Sequence, residues 1–70
     1  MRLRLSGEQL VPELADFLRF RGFLTVDRGG GELEVHLLNH VSDRHDRKAA
    51  RAALAGWHEL HPETVIQEVS

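Results

Sequence analysis

The order in which hydrophobic periodicities follow one another is the feature that most constrains the fold of this chain. A short alternating run is followed by a helical run, and then by two alternating runs that flank a glycine-rich turn. A second helical run and a final apolar run complete the series. A period of two residues predicts a strand, and a period near 3.6 residues predicts a helix. The predicted order of elements is therefore β-α-β-β-α-β.

The first half of the pattern predicts a strand followed by a helix. Residues 1–5 alternate between apolar and basic side chains, as in a strand with one solvated face. Ser6 and Gln9 have the spacing of a capping box, whereas Pro12 favours a helix that begins two or three residues later. The apolar positions at helical spacing are Leu10, Leu14, Phe17 and Leu18. Gly22 is then suited to end this helix.

The second half predicts a hairpin, a longer helix and a last strand. Residues 23–27 and 32–39 read as strands that are joined by a turn of Arg28 and three glycines. The second helix has a predicted buried stripe of Ala50, Ala53, Leu54, Trp57 and Leu60. Pro62 ends this helix, and residues 65–69 form the last strand. The last strand alternates poorly, so its buried face stays undetermined at this stage.

Two right-handed crossovers with a hairpin between them favour one arrangement. It is an α+β two-layer sandwich, in which an antiparallel four-stranded sheet of order 4-1-3-2 carries both helices on one face. In this topology the chain resembles the ferredoxin-like superfold over its whole length, residues 1–70, as one domain. The resemblance lies in topology and involves no residue motif, so it implies a fold and leaves the function open.

Composition narrows the classes of function. The chain has 70 residues, no cysteine and a formal net charge of −2, so it lacks disulfides, thiolate metal ligands and an overall attraction for polyanions. Its apolar runs are far shorter than the ~20 residues of a membrane span. The N-terminal residues lack the apolar core of a signal peptide. We therefore expect a cytoplasmic protein that does not associate with membranes.

Families that share the ferredoxin-like topology require residues that this chain lacks. Heavy-metal-associated domains hold their metal with a Cys-x-x-Cys in the first β-α loop, where this chain has Ser6-Gly7-Glu8-Gln9. RNA-recognition motifs stack bases on aromatic side chains of the two central strands, and the corresponding outward positions here carry none. Acylphosphatases need an arginine in the first β-α loop, and none lies near Gly7. We predict no catalytic residue and no cofactor.

The sheet face that the helices leave uncovered, here called the open face, is the first candidate site. Its predicted side chains are Arg2, Arg4, Phe23, Glu34, His36 and Leu38. These residues form either a solvated ladder of charge pairs or a surface for association. The second alternative predicts an interaction or regulatory module that forms a homodimer or binds a partner protein, through the open face or through edge strands.

The second helix carries the other candidate surface, the basic helix face. It consists of Arg44, Arg47, Lys48 and Arg51, on the side away from the Trp57 stripe. A solvated helix surface explains such a run. The alternative function is a docking surface for nucleic acid or for an acidic partner, with an affinity that falls steeply with salt.

Histidines raise the question of a metal site. His58 and His61 are three residues apart at the end of the second helix, and His40 and His45 bracket its start. A site would need a third ligand and supporting contacts, and no established ligand spacing is present. His58 and His61 are equally explained by interaction with the terminal carbonyls of the helix. We therefore predict no metal site.

Overall fold

The computed structural model describes residues 1–37 and 43–69. Its elements are β1 (Arg2–Leu5), α1 (Val11–Arg19), β2 (Phe23–Gly29), β3 (Glu32–Leu37), α2 (Asp43–Leu60) and β4 (Ile66–Val69). A short 3-10 turn, Glu8–Leu10, precedes α1. The predicted sequence of elements is confirmed. The predicted residues of the third strand beyond Leu37 lie outside the described part of the chain.

The four strands form one antiparallel sheet of order β2-β3-β1-β4, which confirms the predicted α+β architecture and strand order. Leu3 pairs with Leu33, and Thr25 pairs with Val35. All four side chains are buried, on the face that both helices cover. This arrangement is compatible with a ferredoxin-like fold. Leu5 pairs with Ile66, so the helix-covered side of β4 carries Ile66 and Glu68, which settles the face of the last strand.

The start of α1 corrects the predicted capping box. The residue before the helix is Leu10, no side chain caps it, and Pro12 lies in the first turn. Ser6 serves another element, because its Oγ accepts a hydrogen bond from the Val65 amide at 3.0 Å. The Ser6 amide in turn donates to the Val65 carbonyl at 2.9 Å. Pro12, rather than Ser6, thus indicated the true start of the helix.

The hairpin between β2 and β3 turns through Gly30 and Gly31, with an irregularity in the pairing between Asp27 and Gly29. Gly30 and Gly31 have φ angles of 62° and 82°, in the left-handed region that disfavours side chains. The Gly31 carbonyl accepts a hydrogen bond from the Leu5 amide at 2.9 Å. The hairpin tip is therefore held against the end of β1.

Trp57 attaches α2 to the rest of the protein. Its side chain is 2% exposed, and its ring meets that of Phe17 from α1 edge to face, with 5.5 Å between centroids. On another side the indole stacks on His61 at 4.0 Å. Ala50 is the other fully buried apolar residue of α2, and Ala53 and Leu54 are half-buried.

The predicted burial of Leu60 is wrong, because this side chain is 67% exposed. His61 lies four residues after Trp57 and stacks on the indole, so it takes the position that the helical stripe assigned to Leu60. The chain leaves the helix at this point and turns toward β4. A periodicity argument cannot anticipate this, because it extends the stripe to the last helical residue.

Replacing Gly31 by alanine will destabilise the protein more than replacing Gly30. Both substitutions place a side chain at a left-handed φ, at a cost of ~1–2 kcal/mol. A Cβ at Gly31 would also lie 3.1 Å from the Leu5 backbone carbonyl, whereas a Cβ at Gly30 meets nothing within 4 Å. Urea unfolding followed by circular dichroism measures the difference. Equal midpoints for the two variants would contradict the close packing of the tip.

Trp57→Ala will lower the free energy of unfolding by about 3–5 kcal/mol, because it removes a buried indole and its ring contact with Phe17 of α1. Leu60→Ala, three residues along the same helix, is the matched control. Because Leu60 is exposed, its substitution will change stability by no more than about 0.5 kcal/mol. Similar urea midpoints for both variants would show that Trp57 does not hold the helix in place.

Candidate functional site

The open face carries opposite charges on its two central strands. Arg2 and Arg4 of β1 pair with Glu34 and Glu32 of β3, respectively. Their side chains point away from the helices, because Leu3, between the two arginines, is buried on the covered side. Arg4 reaches Glu32 at 3.8 Å, which is a long ion pair between partly exposed groups. The strand register thus places each arginine beside a carboxylate of β3.

Phe23 does not belong to the open face, which corrects the prediction. It is 5% exposed and pairs with Leu37, which shares the covered side with Leu33 and Val35. The other predicted apolar member, Leu38, lies outside the described residues. In place of Phe23, the neighbouring side chains Leu24 and Val26 are exposed on the open face, opposite His36 and Glu34. The register of the hairpin decides this, because β2 has apolar residues on both of its faces.

Glu34 lies at the centre of a three-residue cluster on the open face. The Arg28 guanidinium donates to its Oε2 through Nε at 2.7 Å and also through Nη2. His36 Nε2 lies 3.0 Å from the other carboxylate oxygen, Oε1. His36 and Glu34 were predicted to belong to this face, but Arg28 was missed. It follows Asp27 at the irregular end of β2, and only the strand register brings it back over β3.

The cluster keeps Glu34 ionised. The hydrogen bond from Arg28, and then that from His36, lower the pKa of the Glu34 carboxyl from 4.5 to about 2. Both carboxylate oxygens are engaged by side chains of the same chain, so the centre of the open face holds a compensated charge group. This group makes the centre of the open face polar. A carboxyl with so low a pKa is also a weak proton acceptor near neutral pH.

The basic helix face is divided between two environments. Arg44, Arg47 and Lys48 are exposed on the first half of α2. Arg51 instead turns toward the sheet, where its Nη2 donates to Glu68 Oε2 of β4 at 3.0 Å. The prediction grouped these four residues as one surface. The periodicity of the helix could not reveal the Arg51–Glu68 pair, because the sequence did not show which side of the last strand faces α2.

The histidines of α2 and its end are not gathered around a common point. Among residues 1–37 and 43–69, no group of three or more His, Asp, Glu or Cys side chains is arranged to hold a metal ion. His61 stacks on Trp57, and its ring nitrogens lie 3.9 Å from Glu13 and 3.8 Å from Glu63. His58 is exposed. His40 lies outside the described residues, so its part in the metal hypothesis is not addressed.

Comparisons with known proteins give no family for this chain: no family model, no curated protein and no solved structure matches it. None of the described helices combines the length and the apolar character needed to cross a bilayer.

The Glu34 carboxyl will titrate with a midpoint of about 2 in carbon-detected NMR of the folded protein. Because pairing lowers this pKa, the cluster stabilises the fold above about pH 4.5, and its contribution is lost as the pH falls through about 2. Arg28→Ala will raise the midpoint further than His36→Ala, since the Arg28 hydrogen bond is the largest cause of the shift. An unchanged midpoint in Arg28→Ala would contradict the cluster.

Proposed function

We propose that this protein is a small non-enzymatic interaction module that associates with a second copy of itself through the β2 side of its open face. The observation that carries the proposal is a pair of exposed apolar side chains, Leu24 and Val26, on an edge strand beside a charged sheet surface. Their exposed fractions are 51% and 39%. Such side chains on an uncovered sheet mark a surface suited to association.

The β2 edge is poorly protected against pairing. It is the longest strand, Phe23–Gly29, and β3 is its only neighbour among the described strands. It contains neither proline nor lysine, the residues that commonly protect exposed edges. Its irregularity lies at the hairpin end, so residues 23–27 remain regular. Phe20, in the loop that leads into the strand, is also almost fully exposed.

The charge pattern favours a second copy over a strongly charged partner. Arg2, Arg4 and Arg28 share the open face with Glu32 and Glu34, so both signs occur in adjacent rows. A two-fold axis brings each row of one protomer against the opposite end of the same surface in the other. In such a dimer Leu24 and Val26 are buried, and neither copy presents a uniform field of one sign to the other. A surface of mixed sign lacks the single-sign field that binds a polyanion.

The alternative, a nucleic-acid or acidic-partner site on the basic helix face, has weaker support. Arg51 is paired with Glu68, so three exposed cations remain on that face. The chain as a whole carries a formal charge of −2. The electrostatic contribution to polyanion binding is correspondingly small.

Leu24→Lys will weaken self-association by about tenfold or more. The substitution replaces a buried apolar contact by two like charges related by the two-fold axis, and about 1.4 kcal/mol already corresponds to a tenfold change. Sedimentation equilibrium from low to high micromolar concentration measures the dissociation constant. A wild-type protein that stays monomeric across that range would overturn the proposal.

Leu60→Lys is the matched control for this experiment. Leu60 is also an exposed leucine, but it lies at the end of α2 rather than on the sheet. We expect it to associate like the wild type. Equal weakening by both substitutions would indicate association through exposed apolar side chains in general and would contradict a site at β2.

A further inference from the structure

A groove runs between α2 and β4. Strand β4 is the edge of the sheet opposite to β2. It has two chambers that share Met1, Arg51 and Glu68. One chamber has a volume of about 380 Å³, and the other has a volume of about 600 Å³. Both volumes fall within the range of ~300–1,000 Å³ that is typical of small-molecule sites.

The smaller chamber is mainly apolar. Leu54 and Ala55 of α2 face Val65 and Ile66 across it. On α2 the lining positions are Arg51, Leu54, Ala55 and His58, which follow the spacing i, i+3, i+4 and i+7. They form a stripe beside the one that holds Trp57. This second stripe is apolar in the middle and carries a basic side chain at each end.

The larger chamber is cationic. Three arginines line it, Arg2 of β1 and Arg47 and Arg51 of α2, together with Glu34 and Glu68. Both carboxylates already have partners. Arg28 and His36 hold Glu34, and Arg51 holds Glu68.

Arg2 and Arg47 are therefore the arginines of this chamber that form no ion pair with a side chain that the structure describes. The groove thus presents unpaired positive charge directly beside an apolar chamber. A ligand that complements both chambers has an anionic end and an apolar end.

We propose that the groove binds an amphiphilic anion, which is a small molecule with an apolar chain and a carboxylate or phosphate head. The chain lies in the apolar chamber between α2 and β4. The head lies in the cationic chamber, where Arg47 and Arg2 bind it. A guanidinium matches either head, since both present paired oxygens to its fork of N–H donors.

The groove and the proposed self-association surface share Arg2 and Glu34, but their apolar parts are separate, because Leu24 and Val26 do not line the groove. Strand β2 and strand β4 are opposite edges of the sheet. Ligand binding at β4 therefore does not require the dimer, and Leu24→Lys leaves the groove unchanged. Failure of either proposal is distinguishable from failure of the other.

Titration of the protein with octanoate, octyl phosphate, octan-1-ol and inorganic phosphate tests the proposal, with amide NMR shifts as the readout. We expect the two amphiphilic anions to shift amides of residues 51–58 and 64–69. Octan-1-ol lacks the charge and inorganic phosphate lacks the chain, so each will bind at least tenfold more weakly. A preference for octyl phosphate over octanoate, or the reverse, identifies the head group. Octan-1-ol binding as tightly as octanoate would overturn the proposal.

Matched variants test the two chambers separately. Arg47→Gln will weaken octanoate binding about tenfold and leave octan-1-ol binding unchanged, while Arg44→Gln, an exposed arginine outside the groove, will have no effect. Ala55→Phe will obstruct the apolar chamber and weaken all chain-bearing probes, in contrast to Ala52→Phe on the exposed side of α2. Unaltered octanoate binding in both Arg47→Gln and Ala55→Phe would place the ligand elsewhere and refute the site.

Discussion

The packing of Trp57 between Phe17 and His61 is the interaction on which the two-layer structure depends. Of the apolar side chains of α2, only Trp57 and Ala50 are fully buried, and the rest of the contact consists of half-buried alanines and Leu54. Since the other apolar side chains of α2 are small or only half-buried, one indole supplies much of the area that fixes this helix over the sheet. Its Nε1 has no hydrogen-bond partner among the described residues, so apolar and aromatic contact must outweigh the cost of that buried donor.

Incomplete covering of the sheet gives the protein its two candidate sites. The helices bury one side of the sheet and leave the other to Arg28, Glu34 and His36, which satisfy one another, and to Leu24 and Val26, which remain exposed. On the covered side, α2 packs through Trp57 toward α1 and leaves an opening toward β4. The Trp57 contact lies on one side of α2, and the groove beside Ile66 lies on another.

The order of elements and strands could be predicted from the sequence, whereas several side-chain contacts of the candidate sites could not. Element order and strand order depend on local periodicity and on the handedness of crossovers, which the sequence contains. Phe23 was misplaced because β2 is apolar on both faces, so only its pairing with Leu37 decides its direction. Arg28 and Glu68 were missed because their partners, Glu34 and Arg51, are brought near by the register of the sheet and the position of α2. Such contacts are properties of packing, and no spacing along the chain encodes them.

The pairing of Arg2 with Val69 has a consequence for how this unit connects to other polypeptide. Segments fused before β1 or after β4 would leave the sheet at the same end of these two strands, close to Arg47 and the cationic chamber. Strand β2, at the other edge of the sheet, would not contact these segments directly. A tag or a fused domain is therefore compatible with sheet-to-sheet assembly but would crowd the mouth of the groove. Tethering at that end would thus leave the proposed association surface accessible while screening the proposed ligand groove.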